Sequence, residues 1–230
     1  MKSIFEIAHR GYSFKNKDNT TASFLSAKEN KFDMIEVDIQ ITKDNKIVIY
    51  HDTYISESGK SSRQNLSATD HHFLIDLTLD EIKKIDSDII SLEEFFNIVN
   101  PDENYIYLDI KGSKKIVPIL ISILKKYNTE KIYIGAFNIL MIEALCKLNP
   151  NLNYGIISET MFTSDIIDLI LSKYNIKFFC LHWSVLQHDE INYLKSKNVL
   201  VFTYTNKFDI ILKRMKEFNV DGIVTNFKIK

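Results

Sequence analysis

Two carboxylates stand two positions apart inside an apolar run, Met34-Ile35-Glu36-Val37-Asp38-Ile39. In a strand, alternate side chains share a face. Glu36 and Asp38 would therefore meet, repel each other and lose hydration unless a cation compensates. A divalent metal meets that need, and an all-oxygen donor set favours Mg2+, Ca2+ or Mn2+ over zinc. A salt bridge to Arg10 or Lys111, or an outward-facing polar strand edge, would also account for the pair. Asp109 and Lys111 repeat the alternation on a later run, Tyr105 to Lys111. They add a third carboxylate and a cation suited to a phosphate oxygen in a transition state. The plainer role of Lys111 is to hold Asp109 by ion pairing, and the two roles are compatible.

Histidines flank these groups. His9, Arg10 and Gly11 directly follow the apolar run Ile4 to Ala8, and His51 and Asp52 follow Lys46 to Tyr50. Two histidines beside a cation suit acid and base work near neutral pH. His182 ends a strand-like run and is a further candidate, whereas His188 starts a helix and His71 and His72 read as exposed loop residues.

These residues need elements to hold them. Short β-branched and aromatic runs recur at Ile4 to Ala8, Met34 to Ile41, Lys46 to Tyr50, Tyr105 to Ile110, Lys131 to Phe137, Asn153 to Ser158, Lys177 to His182, Val199 to Tyr204 and Gly222 to Thr225. Between them lie helical patterns at Thr21 to Asn30, Leu92 to Val99, Lys114 to Lys126, Leu140 to Leu148, Ser164 to Lys173, Asp189 to Ser196 and Phe208 to Phe218. Such alternation predicts a parallel α/β sheet, and its repetition an irregular (β/α)8 TIM barrel, whose catalytic side chains gather at the C-terminal strand ends. The second and third runs are too close for a parallel crossover and must form a β-hairpin. Asp44 and Asn45 suit a two-residue turn, which would set Asp38 opposite His51. The polar stretch Ser56 to His72 reads as a loop or short insertion on the barrel rim, within residues 53–75.

The 230 residues, 26.8 kDa, fit one domain spanning residues 1–230. Lys and Arg number 29 against 30 Asp and Glu, so no general positive field draws the chain to nucleic acid. Cys146 and Cys180 have apolar neighbours and read as reduced thiols. No stretch resembles a secretory leader or reaches the ~20 apolar residues of a membrane span. A cytoplasmic monomer or homodimer is expected, with peripheral contact with lipid left open.

Together these segments resemble the glycerophosphodiester phosphodiesterase family of phospholipase-C-like TIM barrels. The resemblance runs through Ala8-His9-Arg10-Gly11, Asp18-Asn19-Thr20-Thr21-Ala22-Ser23-Phe24, Ile35-Glu36-Val37-Asp38-Ile39 and Val48-Ile49-Tyr50-His51-Asp52. It continues in Leu108-Asp109-Ile110-Lys111, Phe202-Thr203-Tyr204-Thr205-Asn206 and Val220-Asp221-Gly222-Ile223-Val224-Thr225. It implies metal-dependent hydrolysis of glycerophosphodiesters to glycerol 3-phosphate and an alcohol. His9 and His51 would be the acid and base pair, and Glu36, Asp38 and Asp109 the ligands of Mg2+, Ca2+ or Mn2+. Arg10, Lys111, Asn19 and Tyr204 would contact phosphate or substrate. Whether a cyclic phosphate forms first stays open.

Several positions depart from the family pattern: Lys17-Asp18-Asn19-Thr20 stands for Pro-Glu-Asn-Thr, Asp109 replaces glutamate, Tyr204 replaces tryptophan and Asn226 replaces aspartate. Competing readings are a phospholipase or lysophospholipase of C or D type and a phosphodiester-binding barrel without turnover. An exposed apolar rim on Ser56 to His72 or near Phe162 would favour lipid substrates. The polarity of that stretch favours soluble ones, and paired histidines favour turnover.

Overall fold

The computed structural model describes residues 4–56 and 71–229. It opens with strand β1 (Phe5–Ala8), helix α1 (Thr21–Glu29), strand β2 (Met34–Ile41) and strand β3 (Ile47–Ile49). A small ribbon of β4 (Tyr54–Ser56) and β5 (His71–Phe73) follows, then α2 (Leu79–Ile85) and α3 (Leu92–Ile98). Strictly alternating units complete the chain: β6 (Tyr105–Ile110), α4 (Ile116–Leu124), β7 (Ile132–Ala136), α5 (Ile139–Leu148), β8 (Asn153–Ser158) and α6 (Ser164–Lys173). The last are β9 (Ile176–His182), α7 (His188–Ser196), β10 (Leu200–Asn206), α8 (Asp209–Lys216) and β11 (Gly222–Thr225).

The main sheet runs β1-β11-β10-β9-β8-β7-β6-β2-β3 and closes where β1 also pairs with β2. Only β3 is antiparallel, so eight parallel strands make the barrel and β3 is the extra run that the hairpin demanded. Helices pack outside, where the large core cluster lies.

The lumen is filled by a separate cluster that includes Ile7, Met34, Tyr107, Phe178, Phe202 and Val224. Its aromatic rings interlock, with Tyr107 and Phe178 at 5.2 Å and Phe178 and Phe202 at 5.1 Å between centroids. Glycine makes the room: a Cβ on Gly155 would come within 2.3 Å of the Phe178 ring. This plug sets where chemistry can sit. Inward positions recur every second residue along a strand, so the next inward step beyond the plug reaches the open end.

The hairpin differs from the expected one by a single residue. Thr42 N–H donates to the Lys46 carbonyl at 2.9 Å, Asn45 N–H to the Thr42 carbonyl at 3.1 Å, and Asn45 takes φ 59°. This is a three-residue loop, a type I turn closed by a left-handed residue. It pairs Ile41 with Ile47 and Ile39 with Ile49. Asp38 therefore faces Tyr50, whose N–H donates to the Asp38 carbonyl at 3.0 Å, and His51 lies one residue further on.

Two other expectations change. Helix α2 was absent from the expected elements, although Thr78 and Glu81 form a capping box there. The insertion expected from Ser56 to His72 has residues 57–70 outside the described residues; at its edges β4 pairs with β5, so His71 and His72 are half-buried strand residues rather than exposed loop.

Candidate active site

Most of the chemistry-bearing side chains stand two or four positions beyond a lumen residue. His9 follows Ile7, Glu36 follows Met34 and is followed by Asp38, Asp109 follows Tyr107 and is followed by Lys111, Tyr204 follows Phe202, and Asn226 follows Val224. All of these line one cavity of about 610 Å³ at the open end, together with Arg10, His51, Phe137 and Trp183. Strand periodicity thus delivers residues from five strands to one place.

Glu36, Asp38 and Asp109 are buried, and one oxygen from each lies within 4.8 Å of the others. Asp38 is the most heavily partnered. Arg10 Nε lies 2.9 Å from one oxygen and Lys111 Nζ 3.3 Å from the other, and Asn19 donates to it at 2.9 Å. Burial opposes the Asp38 charge, but Arg10 and Lys111 outweigh burial and hold it below the usual carboxylate range. Glu36 goes the other way, pushed well up by burial and by the charges of Asp38 and Asp109. Burial likewise pushes Asp109 up to about 6, although Lys111 sits 2.5 Å from it. The ion pairs that offered an alternative to a metal are therefore present, yet they leave the cluster short of positive charge. Three carboxylates face two cations, and Asp109 Oδ1 is buried with no hydrogen-bond partner. The donor set fits a hard divalent cation.

The loop after β1 is built around this cluster. Arg10 (φ 57°) and Gly11 (φ 75°) both take the left-handed conformation, which turns the Arg10 N–H onto Glu36 at 2.8 Å. A Cβ on Gly11 would lie 2.4 Å from Ser23 Oγ, so the turn needs glycine. Arg10 also pairs with Asp18 at 2.9 Å. Asn19 donates to the Asp38 carboxylate and lines a smaller adjacent cavity.

The two histidines have different partners. His9 Nδ1 lies 2.6 Å from Asn226 Oδ1, and burial with help from Arg10 lowers the ring to about 3. His51 Nδ1 lies 2.7 Å from Asp52 Oδ1. Gln40 Nε2 donates to the carbonyls of Tyr50, His51 and Asp52 at 3.1, 3.0 and 2.5 Å, fixing the segment that carries His51. Asn226 and Gln40 were not singled out as site residues; each was visible as the next inward position, after Val224 and Asp38. Tyr204 packs edge-on against Phe137 at 6.0 Å and against His182 at 5.4 Å, and its buried hydroxyl has no hydrogen-bond partner. His182 lines the cavity and caps the turn that follows it.

A parallel barrel that gathers buried carboxylates, paired cations and two histidines at its C-terminal mouth has the layout of a barrel enzyme with a candidate metal centre. The Glycerophosphoryl diester phosphodiesterase family model matches residues 9–230. The chain belongs to that family and is a phosphoric diester hydrolase. It is 28% identical to a glycerophosphodiester phosphodiesterase of Caldanaerobacter subterraneus subsp. tengcongensis, over 98% of this chain and 95% of the relative. The glycerophosphodiester phosphodiesterase structure from Thermotoga maritima superposes with a TM-score of 0.81 at 22% identity, covering 98% of this chain and 96% of the other. An Oleispira antarctica phosphodiesterase solved with the product sn-glycerol-3-phosphate superposes with a TM-score of 0.80 at 18% identity, covering 96% and 92%. At those identities the structural matches establish the fold. Among the described residues no helix is long and apolar enough to cross a membrane.

Proposed function

We propose that the protein hydrolyses small glycerophosphodiesters to glycerol 3-phosphate and an alcohol, with Glu36, Asp38 and Asp109 holding a divalent cation. The observation that carries this is the buried carboxylate triad with its orphaned Asp109 oxygen, set beside Arg10 and Lys111. Mg2+ and Ca2+ suit the all-oxygen donors best, and Mn2+ also fits. Bound there, such an ion supplies charge neutralisation for the phosphoryl oxygens. The side chains do the rest. Arg10 and Lys111, both held firmly cationic by the carboxylates around them, bind the phosphoryl oxygens. His9, neutral and with Nδ1 engaged by Asn226, takes through Nε2 the proton of the oxygen that bonds to phosphorus, either water directly or the glycerol hydroxyl, whose cyclic phosphate a water then opens to glycerol 3-phosphate. His51, oriented by Asp52, gives a proton to the departing alcohol oxygen as its bond to phosphorus breaks. Tyr204 and Phe137 form an aromatic wall for the organic part. The free thiols Cys146 and Cys180 fit a cytoplasmic setting.

Purified protein should hydrolyse glycerophosphocholine, lose activity to EDTA and regain it with Mg2+ or Ca2+. His9→Ala and His51→Ala should each lower kcat by about 10²- to 10⁴-fold. Activity that survives chelation and both substitutions would sink the reading, and binding without turnover would make the barrel a phosphodiester receptor.

A further inference from the structure

The open end of the barrel is apolar along one side. Phe14 after β1 is 70% exposed, Phe137 and Leu140 after β7 are 46% and 50% exposed, and Phe208 and Ile210 after β10 are 63% and 77% exposed. Half-buried Trp183 follows β9. In sheet order these loops fall on the arc from β7 through β9, β10 and β11 to β1. Lys17 and Asp18, further along the segment that carries Phe14, and Asp86 and Asp88, between α2 and α3, line a smaller charged cavity beside it, and Phe73 of β5 is 60% exposed outside the arc. Single exposed apolar residues are ordinary. Several large ones around one cavity, Phe14, Phe137 and Phe208 on loops and Leu140 and Ile210 in the first turns of α5 and α8, mark an interaction surface.

We propose that this arc rests on a phospholipid surface and opens the cavity toward head groups there; the proposal builds on the phosphodiesterase reading above. Phe137 and Trp183 belong both to the arc and to the cavity wall. A lipid surface is the occupant that carries the same phosphodiester the cavity is built to receive. The exposed side chains come from separate connections between strands and helices, and two of them stand beside exposed lysines, Lys15 next to Phe14 and Lys207 next to Phe208. That is how interfacial anchors combine an inserted apolar group with a cation at head-group depth. Asp209 and Glu159 lie on the same side of the mouth, so apolar insertion rather than net charge carries the attachment. Exposed apolar side chains thus stand after β1, β7 and β10; of the Ser56 to His72 stretch, residues 57–70 lie outside the described residues.

The test uses the full chain and a Phe14→Ser, Phe208→Ser, Ile210→Ser variant, since none of these three lines the cavity. Sedimentation with phosphatidylcholine vesicles containing a minor share of phosphatidylglycerol should carry down the wild type, with partitioning of the variant at least about tenfold weaker. Hydrolysis of lysophosphatidylcholine micelles should fall with it, while hydrolysis of glycerophosphocholine in solution stays unchanged and reports that the variant is folded. Wild type that stays in the supernatant, or a variant that sediments equally well, overturns the proposal and leaves the phosphodiesterase reading untouched. A wild-type dimer in light scattering that the variant converts to monomer also overturns it, by making the arc a contact between copies. Failure of both proteins on glycerophosphocholine would count against the phosphodiesterase reading, and vesicle sedimentation would still decide the docking.

Discussion

His9 Nδ1 and Asn226 Oδ1 lie 2.6 Å apart although 217 positions separate them in the chain. The parallel pairing of β1 with β11, Ala8 beside Thr225, brings them together at the barrel's closure. The amide oxygen can only accept, so Nδ1 keeps its proton and Nε2 is the basic nitrogen.

An amide adds no negative charge to stabilise an imidazolium, and burial takes the His9 ring to about 3. Asn226→Asp restores a carboxylate at that place and is expected to raise the His9 pKa. The acidic limb of the kcat profile should then move to higher pH by about one unit or more. A pH–rate series on both proteins checks this; superimposable limbs would show that the contact does not govern His9.

Asp109 is pushed up to about 6, chiefly by burial. Below that pH it holds a proton, which an incoming cation must displace. Metal affinity should therefore fall as pH drops from about 7 to about 5, and the protons released per ion should increase over the same range. Calorimetric titration in two buffers of different ionisation enthalpy measures both. Asp109→Asn should remove its share of the dependence, leaving that of Glu36, while weakening the affinity overall.

Gln40 satisfies three carbonyls in the segment that bears His51. Gln40→Leu strips all of them of this donor at a buried position and should lower kcat about tenfold, with a smaller effect on KM, because His51 loses its fixed position rather than its chemistry. Stability should fall by about 1–3 kcal/mol. Steady-state kinetics and denaturant melts separate the two effects.

Gly11 sits at φ 75° with the space for a Cβ taken by Ser23 side-chain and backbone atoms. Gly11→Ala should destabilise by roughly 2 kcal/mol or more and displace Arg10 from Glu36. Urea unfolding gives the first quantity; a neutral substitution would contradict the geometry.

The sequence by itself determined which side chains share a face. Alternation along a strand is a local property of the backbone, so Glu36 with Asp38 and Asp109 with Lys111 were legible before any fold, as were the repeating elements of the barrel. Tertiary structure decided everything that depends on register and closure. The hairpin loop holds three residues because Asn45 adopts φ 59°, and that one-residue slip sets Asp38 opposite Tyr50. Asn226 reaches His9 only because the last strand pairs with the first. Phe14, Phe208 and Ile210 have the composition of core residues; they are exposed because the segments after β1 and β10, including the first turn of α8, lie outside the packed core, a placement that no local pattern encodes.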